Sequence, residues 1–247
     1  AVLAAGEELK KGFHSSYDIK YKSNVHDIVT EYDIKSEEII VSSIKKHFKE
    51  HQILSEEMGK QSSESEFLWI IDPLDGTSNF AHGIPVFGIS IALQKNHQTI
   101  LGVIYQPITN ELFIAEKGKG SYLNNHSINV SATSFFKKAF LSTGFPYNLS
   151  DNPNQTIEAF VKIAQIGVSI RRLGAAAVDL AYLADGRYDI FWETGLGPWD
   201  CAAGQLLIEE AGGKVTDWKG NKLQLTDRVT ILATNNRLHQ KMINLLS

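Results

Sequence analysis

Cysteine is nearly absent. Cys201 is the only one in 247 residues, so no disulfide framework can form within the chain, and nothing argues for an oxidising compartment. Long apolar runs are missing as well. No stretch reaches the roughly 18 consecutive apolar residues of a membrane-spanning helix, so no helical membrane span is expected. Basic clusters are also missing. Lys45-Lys46 and Lys137-Lys138 are only pairs and the formal net charge is −4. The scattered lysines read as solvated surface, and direct nucleic-acid binding is not expected. Hydrophobic residues make up 43% of the chain, enough for a sizeable core in one large domain or two modest ones. The opening AVLAAGEELKKGF reads as an amphipathic helix, too short and too acidic for a signal peptide. A cytoplasmic location is the expectation.

Thr30 stands three residues before Asp33, the capping-box spacing. Ile34, Val41, Ile44 and Phe48 continue with helical period and predict a helix over about 32–48. Asp33 falls in its first turn, where the helix dipole favours an acid whatever its further use. Gln52-Ile53-Leu54 predicts a short strand ending in Ser55-Glu56-Glu57. The polar stretch from Gly59 to Glu66 predicts a surface loop. Phe67 to Ile71 predicts a buried strand that stops at Asp72-Pro73. Strands follow over 86–93, 99–105 and 111–115, with Asn124-Asn125 a tight-turn candidate. The second half alternates. Strands at 140–142, 169–171, 188–192, 214–216 and 230–233 are interleaved with helices at 156–166, 175–184, 201–211 and 238–246. These rhythms predict an α+β layered sandwich, with an N-terminal α+β unit over 1–133 and a C-terminal α/β unit over 134–247.

Acids are normally solvated, yet several here follow strongly apolar strands. Asp72 ends Phe67–Ile71, Asp75 lies just beyond Pro73, Glu56 and Glu57 end Ile53-Leu54, and Asp200 opens an apolar helix. If such groups converge, burial and like charge both raise their pKa values, and a cation is needed to keep them ionised. Carboxylates and carbonyls without His or Cys suit Mg²⁺, with Mn²⁺ as a substitute, rather than zinc. Pro73 leaves the Leu74 carbonyl free to face a metal. Gly76 allows close approach to a ligand, and amides that open a turn or helix there would hold a phosphate oxygen. Thr77 adds a hydroxyl that can orient a water, with Glu56 or Asp33 as proton acceptor. Each acid also has a plainer reading: Asp33 as a cap, Asp75 as a turn residue, Asp200 as an N-cap. Glu57 would then point outward.

Three motifs together resemble the inositol monophosphatase family, the lithium-sensitive Mg²⁺-dependent phosphatases, and above all its bacterial members. They are Trp69-Ile-Ile-Asp-Pro-Leu-Asp-Gly-Thr-Ser-Asn-Phe80, Leu54-Ser-Glu-Glu57, and Pro198-Trp-Asp-Cys-Ala-Ala-Gly204 running into Glu209-Glu-Ala-Gly-Gly213. Asp27 to Asp33 resembles the family's upstream segment. The resemblance implies a five-layer α/β/α/β/α sandwich, usually dimeric. It implies one magnesium on Glu56, Asp72 and the Leu74 carbonyl, and a second on Asp72, Asp75 and Asp200. A third, weaker ion would sit beside Glu56, with Asp33 close by through water. Gly76 and Thr77 amides would bind phosphate, and Thr77 with Glu56 would activate the attacking water. Asp75, Ala176, Glu193 and Asp200 would contact substrate, Glu193 by accepting hydroxyl hydrogen bonds. Ala175 stands where many relatives carry a hydroxyl residue, which removes one substrate hydrogen bond.

The implied reaction is hydrolysis of a small phosphate monoester, with inositol 1-phosphate going to myo-inositol and phosphate as the leading case. Fructose 1,6-bisphosphate, histidinol phosphate, 3′-phosphoadenosine 5′-phosphate and NADP(H) are alternatives on the same fold. The nucleotide phosphatases usually show Lys-Glu directly after Asp-Gly-Thr. Ser78-Asn79-Phe80 stands there instead, which favours the inositol branch. Some bacterial relatives bind the transcription machinery, a role of a different class. Cys201 reads as a packed core residue. Arg171-Arg172 reads as a salt-bridge pair or part of a dimer face, and His82 as a residue with a pocket role to test.

Overall fold

The computed structural model describes residues 1–21, 28–61 and 63–246. The polar stretch 23–27, including Asp27, lies outside them. Helix α1 (Val2–Gly12) buries Ala5 and Leu9. The short strands β1 (Ile19–Tyr21) and β2 (Ile28–Thr30) pair antiparallel. Helix α2 (Glu31–His47) begins as its spacing predicts. Thr30 is the N-cap, its side chain accepts the Tyr32 amide, and the Asp33 carboxylate accepts the Thr30 amide. Apolar Ile40, Val41 and Ile44 turn inward.

The strands β3 (Gln52–Ser55), β4 (Gly59–Gln61) and β5 (Phe67–Asp75) follow. Two expectations fail here. The stretch after Gly59 opens with a strand, not a loop. β4 is polar because it closes the sheet's edge, where one face and one row of backbone groups meet water. β5 does not stop at Asp72-Pro73 but runs to Asp75. The pairing with its neighbour shifts register between Asp72 and Asp75, and that irregularity accommodates a proline without an N–H.

A short helix, α3 (Thr77–Ala81), leads to β6 (Gly88–Lys95), β7 (Gln98–Gln106), β8 (Glu111–Glu116), β9 (Gly120–Leu123) and β10 (His126–Ile128). Asn124 and Asn125, both with positive φ, make the last hairpin turn. The eight-stranded sheet runs β10-β9-β8-β7-β6-β5-β3-β4, and among the described residues only its β3 and β5 pair in parallel. The second half contributes β11 (Phe140–Thr143), α4 (Thr156–Ala164), β12 (Ser169–Arg171), α5 (Ala176–Ala184), β13 (Ile190–Leu196), α6 (Pro198–Glu210), β14 (Lys214–Thr216), β15 (Val229–Thr234) and α7 (His239–Leu246). Its five-stranded sheet runs β12-β11-β13-β15-β14. β13 extends past Trp192 to Leu196, so Glu193 lies within the strand rather than after it. α6 starts at Pro198, a residue suited to the first helical position because it lacks the amide left over there.

The layers stack as α1/α2, the large sheet, α5/α6, the small sheet, and α4/α7. Ile104 and Phe113 of the large sheet, Leu180 and Leu207 of the middle helices, and Phe191 and Ile231 of the small sheet share one core. A second core holds Leu9, Ile40 and Ile44 against Ile71 and Ile89. A third holds Ile163 and Met242 against Trp192 and Leu232. This is the five-layer sandwich expected. The middle layer can sit close because Gly102 faces α6, and a Cβ there would lie 2.7 Å from the Ala203 carbonyl. The N-termini of α5 and α6 and the end of β5 therefore meet at one place.

Candidate active site

Three carboxylates converge there. Asp72 and Asp75 come from β5 and Asp200 from the first turn of α6. One oxygen of each lies within 4.8 Å of the others. Asp72 and Asp75 are buried, and Asp200 is the most open of the three. A cleft of about 290 Å³ opens over them, and Glu56, Thr77, Ala176, Glu193 and Arg172 also line it. Ser90 on β6 ties α6 into place by donating to the Trp199 carbonyl at 2.9 Å.

Each acid is held by backbone amides. Asp75 accepts the first amides of α5, from Ala176 at 3.1 Å, Ala177 at 2.8 Å and Val178 at 3.3 Å. It thus serves as the anion at that helix's N-terminus although it lies about a hundred residues away in sequence. Asp200 Oδ2 accepts the Gly197 amide at 2.7 Å, and Asp72 Oδ1 accepts the Leu74 amide at 3.0 Å. Asp33 is fully buried. Its Oδ2 accepts from the Thr30 amide and hydroxyl, and its Oδ1 accepts from the Thr77 hydroxyl at 2.8 Å. Both readings of Asp33 therefore meet in one side chain: it caps α2 and it touches the site through Thr77. The Thr77 hydroxyl has a second acceptor in the Leu74 carbonyl, at 2.9 Å.

The electrostatics follow from this crowding. Burial, then the charges of Glu56, Asp75 and Asp200, drive the Asp72 pKa well above the carboxylate range. Burial and the same neighbours do likewise to Asp200, with Asp75 and Glu56 foremost. Asp75 is pushed by burial up to about 7, against the pull of the α5 amides. Asp33 is pushed by burial to about 6, against its bonds to Thr30 and Thr77. Among the described residues no Lys or Arg forms an ion pair with Asp72, Asp75 or Asp200. An acidic cluster built only of oxygen donors fits a hard divalent cation. The donor set therefore passes the chemical test for Mg²⁺.

Gly76 turns the chain out of β5 with φ +85°. A Cβ there would meet the Val86 carbonyl at 3.0 Å and the Ala175 methyl at 3.1 Å, so only glycine fits. Ala175 is 1% exposed and packs on this turn.

A profile of the inositol monophosphatase family matches residues 1–247. The chain belongs to that family. It is 40% identical over 248 residues to the inositol-1-monophosphatase of Synechocystis sp., covering 100% of this chain and 86% of that protein. It is 40% identical over 227 residues to the Nus factor SuhB of Pseudomonas aeruginosa, covering 90% and 83%. The crystal structure of the extragenic suppressor protein suhB from Bartonella henselae superposes with a TM-score of 0.94 at 36% identity, over 100% of this chain and 95% of that one. With family membership comes the coarse chemistry, Mg²⁺-dependent hydrolysis of a phosphate monoester at a metal-binding acidic site. Among the described residues no helix is long and apolar enough to cross a membrane.

Some residues depart from their sequence reading and others keep to it. His82 is exposed and does not line the cleft. Among the described residues Arg171 forms no salt bridge; it lies over the Phe140 ring, 4.8 Å from its centroid, while Arg172 lines the cleft. Ala176 lines the cleft, and its amide donates to Asp75 at 3.1 Å. Cys201 is buried in the core as expected. Asp179 went unrecognised. It is 1% exposed, borders the cleft and accepts the Ser142 hydroxyl at 2.6 Å. Burial raises its pKa and that of Glu193 well above normal, with Arg172 pulling both back. The available signal was a lone acid within the apolar run Ala176–Ala184.

Proposed function

We propose that this chain hydrolyses a small sugar-alcohol phosphate, inositol 1-phosphate in the first place, to the free alcohol and phosphate. The observation that carries the reading is the convergence of Asp72, Asp75 and Asp200 within 4.8 Å beside a cleft that also holds Thr77 and Glu193. In this reading Glu56, Asp72 and the Leu74 carbonyl would hold one Mg²⁺, Asp72, Asp75 and Asp200 would hold a second, and a third would sit beside Glu56. Mn²⁺ can replace Mg²⁺, and lithium inhibits. When bound, such ions neutralise phosphoryl oxygens, lower the pKa of a water and stabilise the leaving oxygen.

The chain's own groups do the rest. Amides of Gly76 and Thr77 hold the phosphate at the turn out of β5. The Thr77 hydroxyl, 2.8 Å from Asp33 Oδ1, accepts a proton from the attacking water as its own proton moves toward Asp33. Asp33, with its pKa raised to about 6, suits that transfer near neutral pH. Glu56 is the second acceptor in the cleft. Glu193 accepts hydroxyl hydrogen bonds from the alcohol, and Ala176 lines its apolar side with its amide committed to Asp75. We read 1–133 and 134–247 as two units that meet at this cleft, in a cytoplasmic homodimer.

Similarity to a protein named Nus factor SuhB supports a second reading, an interaction role in transcription. The two are separated by a screen of inositol phosphates, fructose 1,6-bisphosphate, histidinol phosphate and nucleotide phosphates with Mg²⁺, run beside an Asp72→Asn variant. The highest kcat/KM is expected on inositol 1-phosphate and loss of turnover in the variant. Equal, background-level rates in both proteins on every substrate would remove the enzymatic reading.

A further inference from the structure

We propose that Ser36 and Glu37 on α2 are positioning residues that set the spacing of the metal-binding segments. The inference rests on the metal-site reading above. Asp33, Ser36 and Glu37 lie at i, i+3 and i+4 and share one helix face. All three are buried, at 0%, 0% and 7% exposure. Each bonds a different segment of chain. Asp33 accepts the Thr77 hydroxyl at 2.8 Å. Ser36 donates to the Pro73 carbonyl at 2.7 Å, between Asp72 and Leu74. Glu37 Oε1 accepts the Met58 amide at 3.1 Å, in the turn that carries Glu56.

One helix face thus touches the Glu56 turn, the Asp72–Asp75 strand end and the Thr77 turn. These are the segments whose oxygens must converge. The rest of that helix's inner side is apolar Ile40, Val41 and Ile44. Polar side chains buried beside them are costly unless bonded, and packing alone would be served as well by Ala or Leu. The Glu56 amide is tied to the Ile71 carbonyl at 3.2 Å, so one end of the turn is held by β5. Glu37 holds the other end, two residues beyond Glu56. Mg²⁺ tolerates little error in ligand placement, and loss of an outer support commonly lowers metal affinity about 10–100-fold.

The test is isothermal titration of the full chain with Mg²⁺ alone, alongside the Mg²⁺ half-saturation of phosphatase activity. Glu37→Ala removes the acceptor and should weaken Mg²⁺ binding about tenfold or more, with KM for the phosphate ester at saturating Mg²⁺ nearly unchanged. Glu37→Gln keeps a carbonyl oxygen in place and should stay within about twofold of the native affinity. Ser36→Ala should weaken binding severalfold, and exposed Glu38→Ala not at all. Native Mg²⁺ affinity in folded Glu37→Ala would overturn the proposal. So would Glu37→Gln losing as much as Glu37→Ala, since charge and not the acceptor would then matter. If Glu37→Ala does not fold, Ser36→Ala decides: unchanged affinity there refutes the positioning role. A native protein that binds Mg²⁺ but hydrolyses nothing removes the proposed reaction and leaves this inference to stand or fall on the affinities.

Discussion

Helices α2 and α6 open in the same way and do different things. Each has an aspartate at its third position that accepts the amide of the cap residue: Asp33 from Thr30 at 2.8 Å, Asp200 from Gly197 at 2.7 Å. Asp33 has protein donors on both oxygens. Asp200 has one amide, and it faces Asp72 and Asp75. Near-identical local chemistry therefore yields a carboxylate bonded to Thr30 and Thr77 at one helix and one set among other acids at the other. The company of other carboxylates, more than the burial, marks the cation site. The sharpest way to break the contrast is Asp200→Asn. An amide keeps the Gly197 bond and the helix cap but loses the charge. Turnover with Mg²⁺ should fall on the order of a thousandfold, while the thermal midpoint without metal stays level or rises as like-charge crowding eases. A rate within tenfold of native would place the ion elsewhere.

Mg²⁺ and protons compete for the same oxygens, which sharpens the contrast further. Without metal, burial pushes the Asp75 pKa up to about 7 from 3.8. A raised carboxylate pKa means the folded chain holds the proton more tightly than the unfolded one. That contribution is full below about pH 4 and is lost as pH rises through about 7. Mg²⁺ binds the ionised form, so it should restore what ionisation removes. The rise in thermal midpoint on adding Mg²⁺ is expected to be small at pH 5 and to grow through pH 8. At a hundred times Kd it corresponds to about 2.7 kcal/mol. Scanning calorimetry at matched ionic strength, with and without Mg²⁺, checks this. Asp200→Asn should flatten the pH dependence. A metal-induced shift independent of pH would mean that these acids are not where the ion binds.

The α2 end of the comparison was legible in the sequence, because a capping box is a local pattern of Thr30 and Asp33. The β5 motif was legible for a different reason. An apolar strand running into Asp-Pro-Leu-Asp-Gly-Thr leaves acids at a cleft whatever the topology. What could not be read was partnership across long sequence separations. That Asp75 would take the α5 amides, that Asp33 would hold Thr77, and that Asp179 would border the cleft all depend on how layers stack. Strand ends were misjudged where polarity had a tertiary cause. β4 is polar as a sheet edge, and β5 crosses Pro73 by a register shift that no propensity scale encodes.

The smallest effects separate the two uses of Asp33 itself. In Asp33→Asn the side-chain oxygen can keep the Thr30 bonds, while the amide nitrogen replaces the acceptor that faces Thr77. The Thr77 hydroxyl then turns to the Leu74 carbonyl, 2.9 Å away, and the proton acceptor is gone. Ionised Asp33 is itself disfavoured by burial, with a pKa near 6, so losing its charge offsets part of the lost bond. Activity should drop about 10–100-fold with stability changed by no more than about 1 kcal/mol. Thr30→Ala does the reverse. It removes the side chain that accepts the Tyr32 amide and donates to Asp33, which costs about 1 kcal/mol of cap stability. The Thr77 contact on the other oxygen stays, so turnover should remain within about threefold. Urea denaturation and kcat at saturating Mg²⁺, measured on both variants, give the comparison directly. If rate and stability fall together in both, Asp33 is a cap and nothing more. If they separate as described, one carboxylate closes a helix with one oxygen and serves the reaction with the other.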